Sequence, residues 1–283
     1  MTTAQSMHQP EKGPLIYRQN RWTRFTHWTW AACLFFLLFS GLQIFNAHPT
    51  LYIGKESGFG YDNAVFSITA VEADGAAKGV TKVFGAEFNT TGLLGVSGPQ
   101  DNRQFRAFPA ALTIPSYYDL GTARVVHFFF AWLLVATLTV WAAAGLWNGH
   151  IRGDLTLSKT DLNSLLQDIK DHARLRFHHT GRYNVLQKLA YGGVLFLLFP
   201  AIILTGLAMS PSLNALVPFL ADMLGGRQSA RTIHFLAMLL LVGFVVIHMV
   251  MIVAAGPLNE LRSIITGWYR TEPQTSAEEK HNV

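Results

Sequence analysis

The sequence predicts an all-α fold: an integral membrane four-helix bundle with a long periplasmic loop subdomain and interfacial helices. Half of the 283 residues are hydrophobic and only 14% are charged, where a soluble domain carries about 25%. Four apolar stretches are each long enough to cross a bilayer, which takes about 20 helical residues. Basic residues flank those stretches, so the net charge of +5 reads as membrane orientation and not as a nucleic-acid surface. The single cysteine, Cys33, excludes a disulfide framework, an iron–sulfur cluster held by this chain and covalent c-type haem attachment, which needs C-x-x-C-H.

Within the N-terminal segment, 1–24, residues 1–14 lack the apolar core expected of a cleavable signal, and the first hydrophobic run is too long to be one. The first span, about 25–46, opens with His27 beside Trp28. Arg18, Arg21 and Arg24 precede it, and only Lys55 follows within ten residues. The positive-inside rule therefore puts the N-terminus in the cytoplasm, and four spans keep both termini there. Gly41 leaves room for a bulky group or another helix to approach the backbone.

The stretch 47–123 is the periplasmic insertion. In it, Ala64–Ala73 and Gly79–Phe84 lie either side of an Asp-Gly-Ala-Ala turn and predict a short β-hairpin. The second span, about 124–147, carries His127. A basic cytoplasmic loop follows, whose 161–177 stretch has one apolar face and reads as an interfacial helix. His172, His178 and His179 on this loop read as solvated surface residues.

The third span, about 184–209, has no histidine, and Pro200 and Gly206 are expected to kink it. The fourth, about 231–255, has two, His234 and His248. Beyond Pro257, residues 258–269 form a second interfacial helix and close a transmembrane domain of 25–269. The polar tail, 270–283, is expected to be disordered and cytoplasmic.

His234 and His248 carry the functional argument. Fourteen helical residues advance about 21 Å and return to within about 40° of the starting direction. Both rings therefore leave one face of one span, near opposite ends, and ionisable groups inside a span mark function by default. Threading the spans pairs His27 with His248 at the inner face and His127 with His234 at the outer face. Imidazole suits zinc, copper and haem iron. Zinc would want a third or fourth protein ligand, and the spans offer no Asp or Glu at these levels. Two trans imidazoles in an apolar slot suit haem b, giving two haems with His27, His248, His127 and His234 as iron ligands.

With His27-Trp28 heading the first span, a lone His127 in the second and His234-x13-His248 in the fourth, the sequence resembles the bacterial/nickel-hydrogenase cytochrome b561 family. That family includes the membrane cytochrome b subunits of formate dehydrogenase-N, nickel–iron hydrogenases and thiosulfate reductase. The resemblance covers about Tyr17 to Tyr269, interrupted by the long outer loop, and implies that these four histidines ligate two b haems, paired as above.

Arg182-Tyr-Asn-x-x-Gln-Lys188 is similar to a motif bordering the quinone site of formate dehydrogenase-type relatives, with Leu186 where they have glycine. Asn184, Gln187 and Lys188 begin the third span at the depth of His27 and His248, which places a quinone headgroup beside the inner haem. The long loop looks more like members that serve periplasmic molybdenum enzymes of the thiosulfate-reductase or sulfite-oxidase kind. The expected function is electron transfer between a periplasmic catalytic oxidoreductase subunit, with or without a further electron-transfer subunit, and the membrane quinone pool. No nucleophile–base pair, phosphate loop or catalytic carboxylate pair appears, so the chain reads as a subunit of an enzyme. The competing classes are a haem-free membrane anchor and a transporter of small solutes or metals. An anchor leaves the four histidines unexplained, and a transporter wants polar, broken helices at the midplane.

Overall fold

The computed structural model describes residues 13–147 apart from 59 and 74, together with 149, 151, 165–166, 168–170 and 185–271. The expected 270–283 tail lies outside these residues after Thr271, as does most of the 161–177 stretch, of which 165–166 and 168–170 are helical. The chain forms two compact units, one of 29–246 and one of the two chain ends, 1–28 with 247–283.

Four helices have the length and hydropathy to cross a membrane. They are α1 (Arg21–Asn46), α2 (Leu120–Trp147), α3 (Val185–Met209) and α6 (Arg227–Ala255). The short helices α4 (Pro211–Leu216) and α5 (Phe219–Met223) lie between α3 and α6, and α7 (Pro257–Thr266) follows. All four spans contribute to one apolar core. Cys33 of α1 is fully buried among Leu134 of α2, Val194 and Phe199 of α3 and Leu241 of α6. Many other apolar side chains on these helices face outward, Val125, Trp132, Leu197 and Ile247 among them. On helices long and apolar enough to cross a bilayer, such a surface suits lipid.

Helix α3 contains a π turn at Val194–Leu198. Pro200 explains it, because the proline ring has no N–H and clashes with the carbonyl four residues back. The start of α3 is capped from afar, with Val185 N–H donating to Asp168 Oδ2 at 3.1 Å. Helix α2 is capped locally: Thr122 N–H and Oγ–H donate to the Asp119 carboxylate at 3.0 and 2.6 Å. The Thr122 hydroxyl and amide hold that carboxyl below its usual range.

The all-α expectation is corrected by the chain between α1 and α2. The hairpin read from the sequence is two strands of a four-stranded antiparallel sheet, ordered β2 (Thr50–Tyr52), β3 (Ala64–Ala73), β4 (Ala76–Val83), β5 (Ala86–Asn89). Val, Ile and Thr crowd β3 and β4, and branched side chains suit a pleated surface better than a helix. A second hairpin, β6 (Gly95–Ser97) with β7 (Gln104–Arg106), crosses the first sheet closely. A Cβ at Gly79 would overlap the Leu94 carbonyl, and one at Gly95 would lie 2.5 Å from Thr69 O.

This insertion is fastened to the ends of α1 and α6. Asn46 Nδ2 donates to Phe108 O at 3.1 Å while Phe108 N–H donates to Asn46 Oδ1 at 2.7 Å. Gly54 N–H donates to Ser229 Oγ and Thr232 Oγ–H to Tyr52 O. Phe45, Leu51, Ile68 and Ala107 bury one another beneath it. The loop is therefore a folded cap on the bundle.

In the unit of chain ends, β1 (Leu15–Tyr17) pairs antiparallel with β8 (Trp268–Arg270). Tyr17 meets Trp268 edge-on at 5.3 Å, and Arg18 stacks on Tyr269 at 4.8 Å. The amphipathic α7 is clasped between these ends, its last carbonyls accepting from α1 side chains.

Candidate functional site

The four histidines meet as two pairs. His27 of α1 and His248 of α6 have ring centroids 6.4 Å apart and planes inclined at 53°. His127 of α2 and His234 of α6 repeat this at 6.4 Å and 56°. Two trans metal–nitrogen bonds of about 2 Å, with each nitrogen about 1 Å from its ring centre, set the centroids about 6 Å apart. Each pair therefore has the spacing of two imidazoles gripping one metal atom. Among the described residues no three His, Cys, Asp or Glu side chains converge on a metal position. Two nitrogens and apolar walls fit haem iron, whose remaining four ligands come from the macrocycle, and do not complete a zinc site.

All four spans build the surroundings of His127 and His234. His127 Nδ1 lies 3.1 Å from Ser40 Oγ of α1, and a Cβ on the adjacent Gly41 would come within 3.3 Å of the ring. His234 Nδ1 lies 3.0 Å from Thr205 Oγ1 of α3, and a Cβ on Gly206 would come within 3.4 Å. Each hydroxyl gives its own proton to its helix, Ser40 to Phe36 O at 2.5 Å and Thr205 to Ala201 O at 2.6 Å. The oxygen is then an acceptor, so the nitrogen facing it carries the ring proton. Nε2 of both histidines is left as a bare lone pair, the form that binds a metal.

Ser40 and Thr205 were not among the residues singled out from sequence. The signal that finds them is a short likeness, Leu37-Leu38-Phe39-Ser40-Gly41-Leu42 against Ile202-Ile203-Leu204-Thr205-Gly206-Leu207. Its meaning emerges only when each hydroxyl is set against a histidine of another helix. Gly41 takes the close approach expected of it. Gly206 does the same, in addition to following the distorted turn.

The His27 and His248 pair is made differently. His27 packs edge-on against Trp28, ring centroids 5.5 Å apart, and its Nδ1 is buried without a hydrogen-bond partner. Glu260 of α7 acts electrostatically on His248 and lies 3.8 Å from Arg18. Arg24 Nη1 donates to Ile265 O at 2.6 Å and Trp28 Nε1 to Ile264 O at 3.3 Å, so α1 caps the last turn of α7.

Of the three residues read as a quinone site, Asn184 lies outside the described residues. Gln187 and Lys188 are half-buried on the first turn of α3. Outside the spans, Lys55 and Asp222 form an exposed ion pair at 2.7 Å, whose hydrogen bond raises the Lys55 ammonium above its usual range.

Apolar spanning helices, with imidazoles paired at metal-binding distance, define the class of membrane cytochromes b. A family profile described as Prokaryotic cytochrome b561 matches residues 163–267, which take in α3, α6 and α7. The putative protein-methionine-sulfoxide reductase subunit YedZ1 of Azospira oryzae is 30% identical over 148 residues, 51% of this chain and 70% of that protein. The chain belongs to the prokaryotic cytochrome b561 family and is an integral membrane haem b electron-transfer protein.

Proposed function

We propose that this protein is a dihaem b membrane subunit that passes electrons between a periplasmic oxidoreductase partner, of the molybdenum type, and the membrane quinone pool. The observation that carries the reading is the repeated 6.4 Å separation of two imidazole pairs, each with one member on α6. His27 and His248 are the ligands of the inner haem, and His127 and His234 those of the outer one. The haem supplies one-electron chemistry. The polypeptide would hold the haems through the nitrogens of His27, His248, His127 and His234, in an apolar surround, with Gly41 and Gly206 leaving room for the His127 and His234 rings.

The partner reading draws on the relative, whose printed name is that of a reductase subunit. It draws also on the folded 47–123 insertion, which presents Phe84, Phe105, Tyr117 and Tyr118 to solvent. With the arginines of the N-terminal segment in the cytoplasm, this cap faces the periplasm. A Cys33→Ala, Asp101→Cys variant tests sidedness: a membrane-impermeant maleimide labels it in intact spheroplasts if the cap is periplasmic. Labelling only after lysis reverses the topology.

Quinone exchange at the inner haem is proposed from the sequence, which sets Asn184, Gln187 and Lys188 at the depth of His27 and His248 with amide and ammonium groups able to donate to quinone carbonyls. Reoxidation of chemically reduced haems by a soluble quinone analogue tests the assignment. Asn184→Leu and Lys188→Leu should slow it while the haem spectra stay unchanged. Unaltered rates in both move the exchange site away from the head of α3.

A further inference from the structure

The unit formed by the chain ends holds a polar cluster that neither the ligand set nor the quinone assignment uses. Arg24 stands one turn before His27 on α1. Its Nη1 caps α7 through Ile265 O, but its Nε is buried and has no acceptor. Ser263, two residues from that carbonyl, is 2% exposed, and its Oγ likewise lacks a partner. A buried donor without an acceptor costs about 1–3 kcal/mol, and the cost is higher for a guanidinium, which is always charged. Capping a helix terminus accounts for one nitrogen of Arg24 and leaves the buried Nε unexplained. Among the described residues no carboxylate forms an ion pair with Arg24, and Glu260 is 3.8 Å from Arg18 instead.

The spacing recurs. Arg124-x-x-His127 and Arg231-x-x-His234 repeat Arg24-x-x-His27, so three of the four paired histidines have an arginine one turn earlier. Three residues advance a helix by about 4.5 Å. In each case the arginine stands nearer its helix's N-terminal end than the ligand, toward the polar edge of the span. A planar guanidinium with a fork of donors is suited to a carboxylate.

We propose that Arg24 and Ser263 bind a propionate carboxylate of the haem held by His27 and His248, through Arg24 Nε–H and Ser263 Oγ–H. This rests on the dihaem reading. The pairing gives both buried donors an acceptor, neutralises the guanidinium and fixes how that haem is turned in its slot.

Potentiometric titration of the purified protein in zwitterionic-lipid nanodiscs tests the proposal, with the wave lost in His248→Ala taken as the inner haem. Arg24→Leu removes a positive charge beside that haem and favours its ferric form. The expected shift in the ferric–ferrous equilibrium is about tenfold, a fall of about 59 mV for one electron, with the other wave unmoved. Arg24→Lys should restore the wave toward its original potential. Ser263→Ala, which removes only a hydroxyl, should speed loss of that haem to a scavenging apoglobin about fivefold, the equivalent of one hydrogen bond. Arg18→Leu, a charge removed from the same unit but paired with Glu260, should shift the wave less than Arg24→Leu.

Unchanged potential and haem loss in Arg24→Leu and Ser263→Ala, or equal shifts in Arg18→Leu and Arg24→Leu, overturn the proposal while leaving the haem ligands standing. A wild-type potential that moves when anionic lipid replaces zwitterionic lipid, and no longer moves in Arg24→Leu, assigns the cluster to a lipid phosphate and overturns it too. A wild-type protein without haem refutes the dihaem reading itself.

Discussion

The two histidine pairs have the same spacing and opposite surroundings. Around His127 and His234 each Nδ1 meets a hydroxyl that also bonds a carbonyl of its own helix, and each ring lies against a glycine. Around His27 and His248 the ring of His27 has no such partner, and polar donors from the chain ends gather instead. The rings of the first pair are oriented by hydroxyls of the neighbouring helices. The second pair lies in a unit whose buried Arg24 Nε, His27 Nδ1 and Ser263 Oγ have no protein partner. Fixed ligands of this kind lose less entropy when they bind, and their hydrogen-bond partners tune the metal.

This contrast can be broken most severely through the glycines. Gly41→Leu and Gly206→Leu should abolish the outer haem, since a side chain there enters the volume of the His127 or His234 ring, and the inner haem should remain. Gly41→Ala, whose Cβ would lie 3.3 Å from His127 Cε1, should keep both haems with an altered outer-haem electron paramagnetic resonance signal. Haem content and low-temperature spectra read both outcomes.

A smaller effect should follow from the hydroxyls. Ser40→Ala and Thr205→Val remove the partner of one ligand, and such changes typically cost about 10- to 100-fold in affinity. Haem loss from the outer site should accelerate accordingly, with the inner site untouched. If both sites respond equally, the hydroxyls are serving helix packing and not the ligands.

The smallest effect concerns the edge of the same region, where Asp119 caps α2. Its folded carboxyl is depressed mainly by the Thr122 hydroxyl. The stabilisation is therefore present above the unfolded value of about 3.9 and fades as pH falls through the folded one. Asp119→Ala should lower the thermal midpoint slightly at neutral pH. Wild type and variant should converge as the pH drops below about 4.

The sequence made the spans and the histidine pairing legible because both depend on period and depth, which a helix fixes. The β3–β4 hairpin was legible from branched residues either side of an Asp-Gly turn. Strands β5, β6 and β7 were not, since three or four residues are too few to display an alternation. The pairing of Leu15–Tyr17 with Trp268–Arg270 joins segments about 250 residues apart, which no local pattern reports. Ser40 and Thr205 were hidden for another reason. A hydroxyl inside an apolar helix ordinarily bonds its own backbone, as both of these do, and only the fold brings a second helix's imidazole to the other lone pair.

The central claim is that one chain carries two b haems, one per histidine pair. Pyridine haemochrome analysis against protein concentration, for wild type and the four His→Ala variants, tests it directly. The expected result is about two haems per chain in wild type. His27→Ala and His248→Ala should retain the same one of them, and His127→Ala and His234→Ala the other. One haem in wild type, or two surviving His248→Ala, would contradict the account.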